Sequence, residues 1–186
     1  TMDASQPNLV AKAVFLDRDG VISKSDVRAG KPYAPKRFTD FKLLPDVIAS
    51  IRSLKYAGFL IVVVTNQPDV GNGLTPREEV ERMNDTLLNT LHVDAVKACY
   101  HRQDEGCACR KPEPGMLIEA ADDLRIDLSD SFMVGDRWSD IAAGRSAGCR
   151  TVFIDRGYSE RRPDAPDFTA ISLSHAAELI LGATPD

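Results

Sequence analysis

Four short apolar runs, Ala13–Leu16, Leu60–Thr65, Phe132–Val134 and Thr151–Ile154, each break off at a polar or glycine turn. Runs this short and this rich in β-branched and aromatic residues read as buried strands. Val96–Cys99 is a weaker strand candidate, and Phe168–Ile171 suits an edge strand. Between them, Asp46–Ala57, Pro76–Leu91, Gly115–Leu124, Asp140–Ala147 and Ser174–Leu181 repeat apolar residues at helical spacing. Gly58 and Gly148 sit where helices end in a left-handed residue, and Thr75-Pro76 suits a cap followed by a first-turn proline. Strand and helix in alternation predict an α/β fold, a mostly parallel sheet covered by helices on both faces. Residues 23–40, with Gly30, Pro32 and Pro35, read as a loop over the tip of the first strand. No repeat, low-complexity tract or linker divides the 186 residues, so residues 1–186 are expected to form one domain.

Composition narrows the function. The net charge of −5 gives no basic field for nucleic acid or an anionic membrane surface. The longest aliphatic run, Leu60–Val64, is far too short to span a bilayer. Residues 1–12 lack the basic start and apolar stretch of a secretory signal. The expectation is a cytoplasmic monomer with neither nucleic-acid nor membrane partners, whose cysteines serve as metal ligands or free thiols.

The strand ends carry the chemistry. Ala13–Leu16 runs into Asp17-Arg18-Asp19-Gly20, two carboxylates one residue apart where an open α/β sheet binds its ligands. Each acid raises the other's cost of ionisation unless a cation sits between them. Mg²⁺, with its preference for hard oxygen ligands, would satisfy both. Taken alone, the pattern also suits a polar strand end leading into a surface turn. Leu60–Val64 ends at Thr65-Asn66-Gln67, a hydroxyl and two amides able to donate to a phosphoryl oxygen. Phe132–Val134 ends at Gly135-Asp136, with Asp140 four residues on. Acids at a helix start can also simply favour the macrodipole. Lys111-Pro112 offers a cation just before a helix.

Cys99, His101, Cys107 and Cys109 lie within eleven positions, around a wholly polar stretch that belongs on the surface. Three thiols and an imidazole make a closed tetrahedral Zn²⁺ set, which would be structural. The close C-x-H and C-x-C pairs depart from finger spacing, and scattered core cysteines are the other reading. Cys149 stands apart and reads as a buried, inert thiol. His92 and His175 suit surface or helix-end positions.

The order of these pieces resembles the four motifs of the haloacid dehalogenase (HAD) superfamily of phosphatases, over about Ala13 to Gly157. The resemblance implies a Rossmann-like sheet and a phosphomonoesterase. Asp17 would be the nucleophile, Asp19 the general acid and base, and Thr65 and Lys111 the holders of the phosphoryl oxygens. Mg²⁺ would lie on Asp17, Asp136 and the backbone carbonyl of Asp19, with Asp140 supporting rather than ligating it. The block Cys107-Ala108-Cys109-Arg110-Lys111-Pro112 further resembles the subgroup holding the heptose bisphosphate phosphatases and the histidinol-phosphatases. That subgroup lacks a large cap domain, and its zinc loop, here about residues 99–109, helps to shape the substrate pocket. The resemblance thus implies a phosphorylated sugar as substrate, bound by Asn66, Gln67 and Arg110. D-glycero-D-manno-heptose 1,7-bisphosphate is the leading candidate. Histidinol phosphate or a broader set of sugar phosphates is the enzymatic rival, and a zinc-stabilised binding module the non-enzymatic one. In one place the chain departs from the heptose enzymes, with Asn72 where they usually carry an arginine.

Overall fold

The computed structural model describes residues 9–185; most of the stretch without a secretory pattern lies outside them. Six parallel strands form the sheet: β1 (Lys12–Leu16), β4 (Phe59–Asn66), β5 (Ala95–Cys99), β6 (Phe132–Gly135), β7 (Arg150–Ile154) and β8 (Phe168–Ala170). Their order is β5-β4-β1-β6-β7-β8. The chain winds outward from β1 to one edge, returns beside β1, and winds outward to the other. The crevice at the ends of β1 and β6 is therefore the topological switch point, where such sheets bind ligands.

Both faces of the strands are covered, which is why the apolar runs are continuous rather than alternating. Val14, Leu16, Ile61 and Val63 pack under α1 (Val47–Tyr56) and α6 (Leu173–Ala183), with Leu87 of α3 (Arg77–Thr90) in the same layer. Ala13, Phe15, Val62 and Val64 face the other way, under α4 (Gly115–Leu124) and α5 (Trp138–Ala147). Gly148 ends α5 with φ 94°, and Gly58 follows α1 with φ 92°, as expected. No helix among the described residues is long and apolar enough to cross a membrane.

Two local expectations need correction. Within residues 23–40, Asp26–Arg28 (β2) and Lys31–Tyr33 (β3) form an antiparallel hairpin, followed by a 3-10 turn at Phe38–Asp40. The turn residues Ala29 and Gly30 both have positive φ, 52° and 76°. That is the geometry of a two-residue hairpin turn, but alanine rarely adopts it, so the usual sequence signal was missing. At α3, Pro76 itself is the cap, with extended backbone (φ −60°, ψ 139°), and the helix begins at Arg77. The Thr75 hydroxyl is buried without a partner instead of capping the helix. The short helix α2 (Pro68–Gly71) connects β4 to this segment.

Candidate active site

The tips of β1, β4 and β6 converge at one cleft of about 510 Å³, with Thr65 and Asp136 buried outside its lining. Its walls include Asp17, Asp19, Gln67, Arg110 and Lys111, with Lys31 and Tyr33 of the hairpin on one side and Trp138 on another. Among the described residues no folded insert covers the cleft; the hairpin and the loop of residues 99–109 border it.

Asp17 leaves β1 with its amide donating to the Val134 carbonyl at 3.0 Å, which draws the first and fourth sequence patterns together. Carboxylate oxygens of Asp17, Asp136 and Asp140 lie within 4.8 Å of one another, and all three residues are buried. Among the described residues, Lys111 is the cation that forms ion pairs within this trio. Its ammonium donates to Asp17 Oδ1 at 2.8 Å, to Asp140 Oδ1 at 2.7 Å and to the Val64 carbonyl at 2.7 Å. All three of its donors are thereby used. Burial disfavours the Lys111 charge, but Asp140 and Asp17 outweigh it and hold the amine above its ordinary value. Burial and the Asp140 charge raise the Asp17 carboxyl, against the pull of Lys111. Asp136 lies well above the carboxylate range, through burial and then the charges of Asp17 and Asp140. One ammonium cannot balance three buried carboxylates, and the deficit calls for a further cation.

Asp136 shows where that cation would bind. Its Oδ2 accepts from the Tyr158 hydroxyl at 2.6 Å, whereas its Oδ1 is buried with no partner. A carboxylate oxygen left bare in a buried acidic pocket suits a hard divalent ion. Gly20 makes room for this arrangement. Its φ is +90°, and a Cβ there would run into the Asp136 carboxylate and meet the Tyr158 hydroxyl at 2.9 Å. Gly20→Ala is expected to cost at least about 1 kcal/mol from backbone strain alone. Urea unfolding would measure it, and unchanged stability would contradict the close approach.

Asp19 is held apart from this trio. Its Oδ1 accepts from Arg18 Nε at 3.1 Å and Ser23 Oγ at 3.1 Å. Its Oδ2 accepts from Arg18 Nη2 at 3.2 Å and Gln67 Nε2 at 2.9 Å. Gln67 Nε2 also donates to Thr65 Oγ1 at 2.9 Å, leaving the threonine O–H free to donate elsewhere. Asn66 lines the cleft and also pairs with the Lys111 backbone. Its Nδ2 donates to the Lys111 carbonyl and its Oδ1 accepts from the Lys111 amide, both at 3.0 Å. Asn66 thereby clamps the backbone of Lys111, and its second Nδ2 hydrogen is not used in this pairing. Asp140 Oδ2 accepts from the Arg137 amide at 3.0 Å while its Oδ1 holds Lys111.

The four sulfur and nitrogen atoms of Cys99, His101, Cys107 and Cys109 also converge within 4.8 Å. The Sγ···Sγ separations are 3.1, 3.5 and 3.7 Å, and His101 Nδ1 lies 3.4 and 3.2 Å from the sulfurs of Cys99 and Cys109. A tetrahedral ion with zinc–sulfur bonds of about 2.3 Å needs edges of roughly this length. All four cysteines of the chain are free thiols. Burial opposes ionisation of Cys107, but the Arg110 amide and the neighbouring thiols bring it down to about 7, while burial and its neighbours push Cys109 up to about 12. Such a split suits thiols that share charge. Cys99 closes β5, and its carbonyl accepts from the Gln67 amide at 2.7 Å, so the cluster is continuous with the cleft. Cys149 is buried, and burial alone raises its thiol to about 12. His92 follows the end of α3, and His175 lies in the first turn of α6.

Sequence reasoning missed two residues. Arg18 read as the spacer of D-x-D-G, yet it grips Asp19 with two donors. Tyr158 follows the last long strand with no pattern to connect it to Asp136.

The comparisons with known proteins agree with this geometry. A HAD-hydrolase-like family model matches residues 108–176. A probable D-glycero-D-manno-heptose-1,7-bisphosphate 7-phosphatase of Thermoplasma acidophilum is 38% identical over 135 residues, covering 70% of this chain and 81% of that protein. The D-glycero-β-D-manno-heptose-1,7-bisphosphate 7-phosphatase of Escherichia coli K12 is 33% identical over 179 residues, 90% of this chain and 91% of its own. Among solved structures, the D,D-heptose 1,7-bisphosphate phosphatase of B. bronchiseptica, complexed with magnesium and phosphate, superposes with a TM-score of 0.79 at 30% identity. That match covers 93% of this chain and 99% of the other. The chain is a phosphatase and belongs to the D-glycero-D-manno-heptose-1,7-bisphosphate 7-phosphatase family of HAD-like hydrolases.

Proposed function

We propose that this chain removes the 7-phosphate of D-glycero-D-manno-heptose 1,7-bisphosphate by way of an aspartyl-phosphate on Asp17. The observation that carries the reading is the buried trio of Asp17, Asp136 and Asp140 around Lys111, with Asp136 Oδ1 unpartnered. Asp17, Asp136 and the backbone carbonyl of Asp19 would hold Mg²⁺, whose charge offsets that of the transferring phosphoryl group. A magnesium–phosphate complex of the B. bronchiseptica relative supports this ion.

Asp17 attacks phosphorus in line, forming a P–O bond to its carboxylate as the bond to the sugar oxygen breaks. Asp19 gives its proton to the departing alkoxide. A water then attacks the aspartyl-phosphate, Asp19 takes the water's proton, and the P–O bond to Asp17 breaks to release inorganic phosphate. Thr65 donates its free hydroxyl hydrogen to a phosphoryl oxygen. Lys111 neutralises Asp17 and orients it, and it is itself fixed by Asp140 and by the Asn66 clamp. The Cys₃His cluster would hold a structural Zn²⁺ that fixes the loop leading into Arg110 and Lys111. The enzyme works as a cytoplasmic monomer. Reducing conditions there keep the thiols available for metal, and one chain supplies the whole cleft lining.

Arg110 supplies the specificity. It lines the cleft, its Nη1 is buried without a partner, and burial lowers the guanidinium below its ordinary value. A half-buried cation with an unused donor, lining the same cleft as Asp17 and Asp140, suits the second phosphate. Asn72 donates to Gln103 in the zinc loop at 3.1 Å and brings no charge, so Arg110 bears more of that contact. Arg110→Ala is expected to lower kcat/KM for the heptose bisphosphate by roughly tenfold to a hundredfold. Hydrolysis of a small monophosphate should barely change. Equal losses on both would assign Arg110 to the reacting phosphate or the fold. Phosphate release measured over a panel of phosphorylated metabolites tests the substrate itself. Faster turnover of histidinol phosphate than of heptose bisphosphate would reject the assignment.

A further inference from the structure

Arg18 is the largest side chain among the described residues to be completely buried, and no step of the reaction above uses it. A buried guanidinium is costly unless its donors are paired. Here the pairing is specific. Nε and Nη2 form a fork on the two oxygens of Asp19, at 3.1 and 3.2 Å. Nη1 donates to Asn84 Oδ1 at 3.0 Å, and the guanidinium lies 5.4 Å from the centre of the Phe41 ring. Asn84 sits in the middle of α3 and is itself buried. Two parallel hydrogen bonds fix both the position and the rotation of a carboxylate, which a single bond cannot do. Ser23 of the same turn and Gln67 at the tip of β4 complete the set of donors on Asp19.

We propose that Arg18 is a positioning residue for Asp19, and that Asn84 ties this positioning to helix α3. Arg18 does not meet substrate. It holds the Asp19 carboxylate in the one rotation that faces the departing sugar oxygen, and later the attacking water. The inference rests on Asp19 being the proton shuttle, and its test separates the two ideas.

The test compares kcat/KM for two substrates of the Mg²⁺-supplied enzyme. Heptose bisphosphate has an alkoxide leaving group that needs a proton. The p-nitrophenolate of p-nitrophenyl phosphate leaves without one, and kcat/KM stops at formation of the aspartyl-phosphate. Asp19→Asn is expected to lose about 10²–10⁴-fold on the sugar phosphate and far less on the aryl phosphate. Arg18→Met should show the same selectivity at about tenfold to a hundredfold, with the aryl phosphate changed by less than about threefold. Asn84→Leu keeps both groups of the fork on Asp19 and removes its anchor, together with a contact to Tyr100; a selective loss of about threefold to tenfold is expected. It decides the question alone if Arg18→Met does not fold. Slow hydrolysis of the intermediate in both variants should appear as a burst of p-nitrophenolate. Equal losses on both substrates in the folded Arg18 and Asn84 variants, with Asp19→Asn still selective, would overturn the positioning role. A non-selective Asp19→Asn would remove the proton-shuttle reading beneath it.

Discussion

Asp17→Asn is expected to abolish phosphate release, by more than about 10⁴-fold, while leaving the protein folded. The amide keeps the volume of the carboxylate and one acceptor for Lys111, but it cannot form the aspartyl-phosphate. Stability should not suffer. Burial and Asp140 raise the Asp17 pKa in the folded state, so its ionisation at neutral pH works against folding unless a metal offsets it. Without added metal the variant should therefore melt at the same temperature as wild type or higher. Phosphate release under single-turnover and steady-state conditions, beside a thermal melt, checks both halves. More than a small residual fraction of wild-type turnover would exclude covalent catalysis by Asp17.

Loss of the Cys₃His site should be the largest effect on stability. Chain purified without added metal is expected to carry about one tightly held zinc, since structural zinc sites contribute on the order of 10 kcal/mol of apparent binding energy. Cys109→Ser should release that zinc and lower the melting temperature sharply. Activity should fall with it, because Cys109 precedes Arg110 and Lys111 and the loop brings both into the cleft. Elemental analysis and calorimetry of wild type and variant give the answer. A zinc-free wild type with full activity and an unchanged melting temperature would reject a structural metal.

Much of this was legible in the chain because the signals are local. A strand of four or five apolar residues announces itself within its own length, and whatever follows it lies at its tip. Asp17, Thr65 and Asp136 therefore read as strand-end residues from the sequence alone. The metal-binding residue types at 99–109 were equally local, grouped as two close pairs within eleven positions, though only the tertiary fold bends the loop back to bring the pairs together. Turn chemistry was legible only where the residue was typical. Gly58 and Gly148 signalled helix ends, whereas Ala29, an unusual residue for positive φ, hid the β2–β3 hairpin.

Side-chain pairing across the sheet was decided by the tertiary structure alone. Strand order places β6 beside β1, and only that order brings Asp136 and Asp140 to Asp17. The fate of Lys111 followed from it: a lysine before a helix is ordinarily solvated, but here burial between two carboxylates fixes its charge and direction. Asn66 read as a substrate contact because amides at strand tips can donate to phosphate. The fold adds a second task, a clamp on the Lys111 backbone. Arg18 could not be read at all, because neighbouring residues on a chain do not ordinarily face each other. A turn at Gly20 and an anchor 66 residues away in α3 make this pair do so. Sequence periodicity states which residues reach a strand tip; the packing of strands and helices determines which partners they meet there, since hydrogen bonds and charges are satisfied only by groups that the whole fold brings within reach.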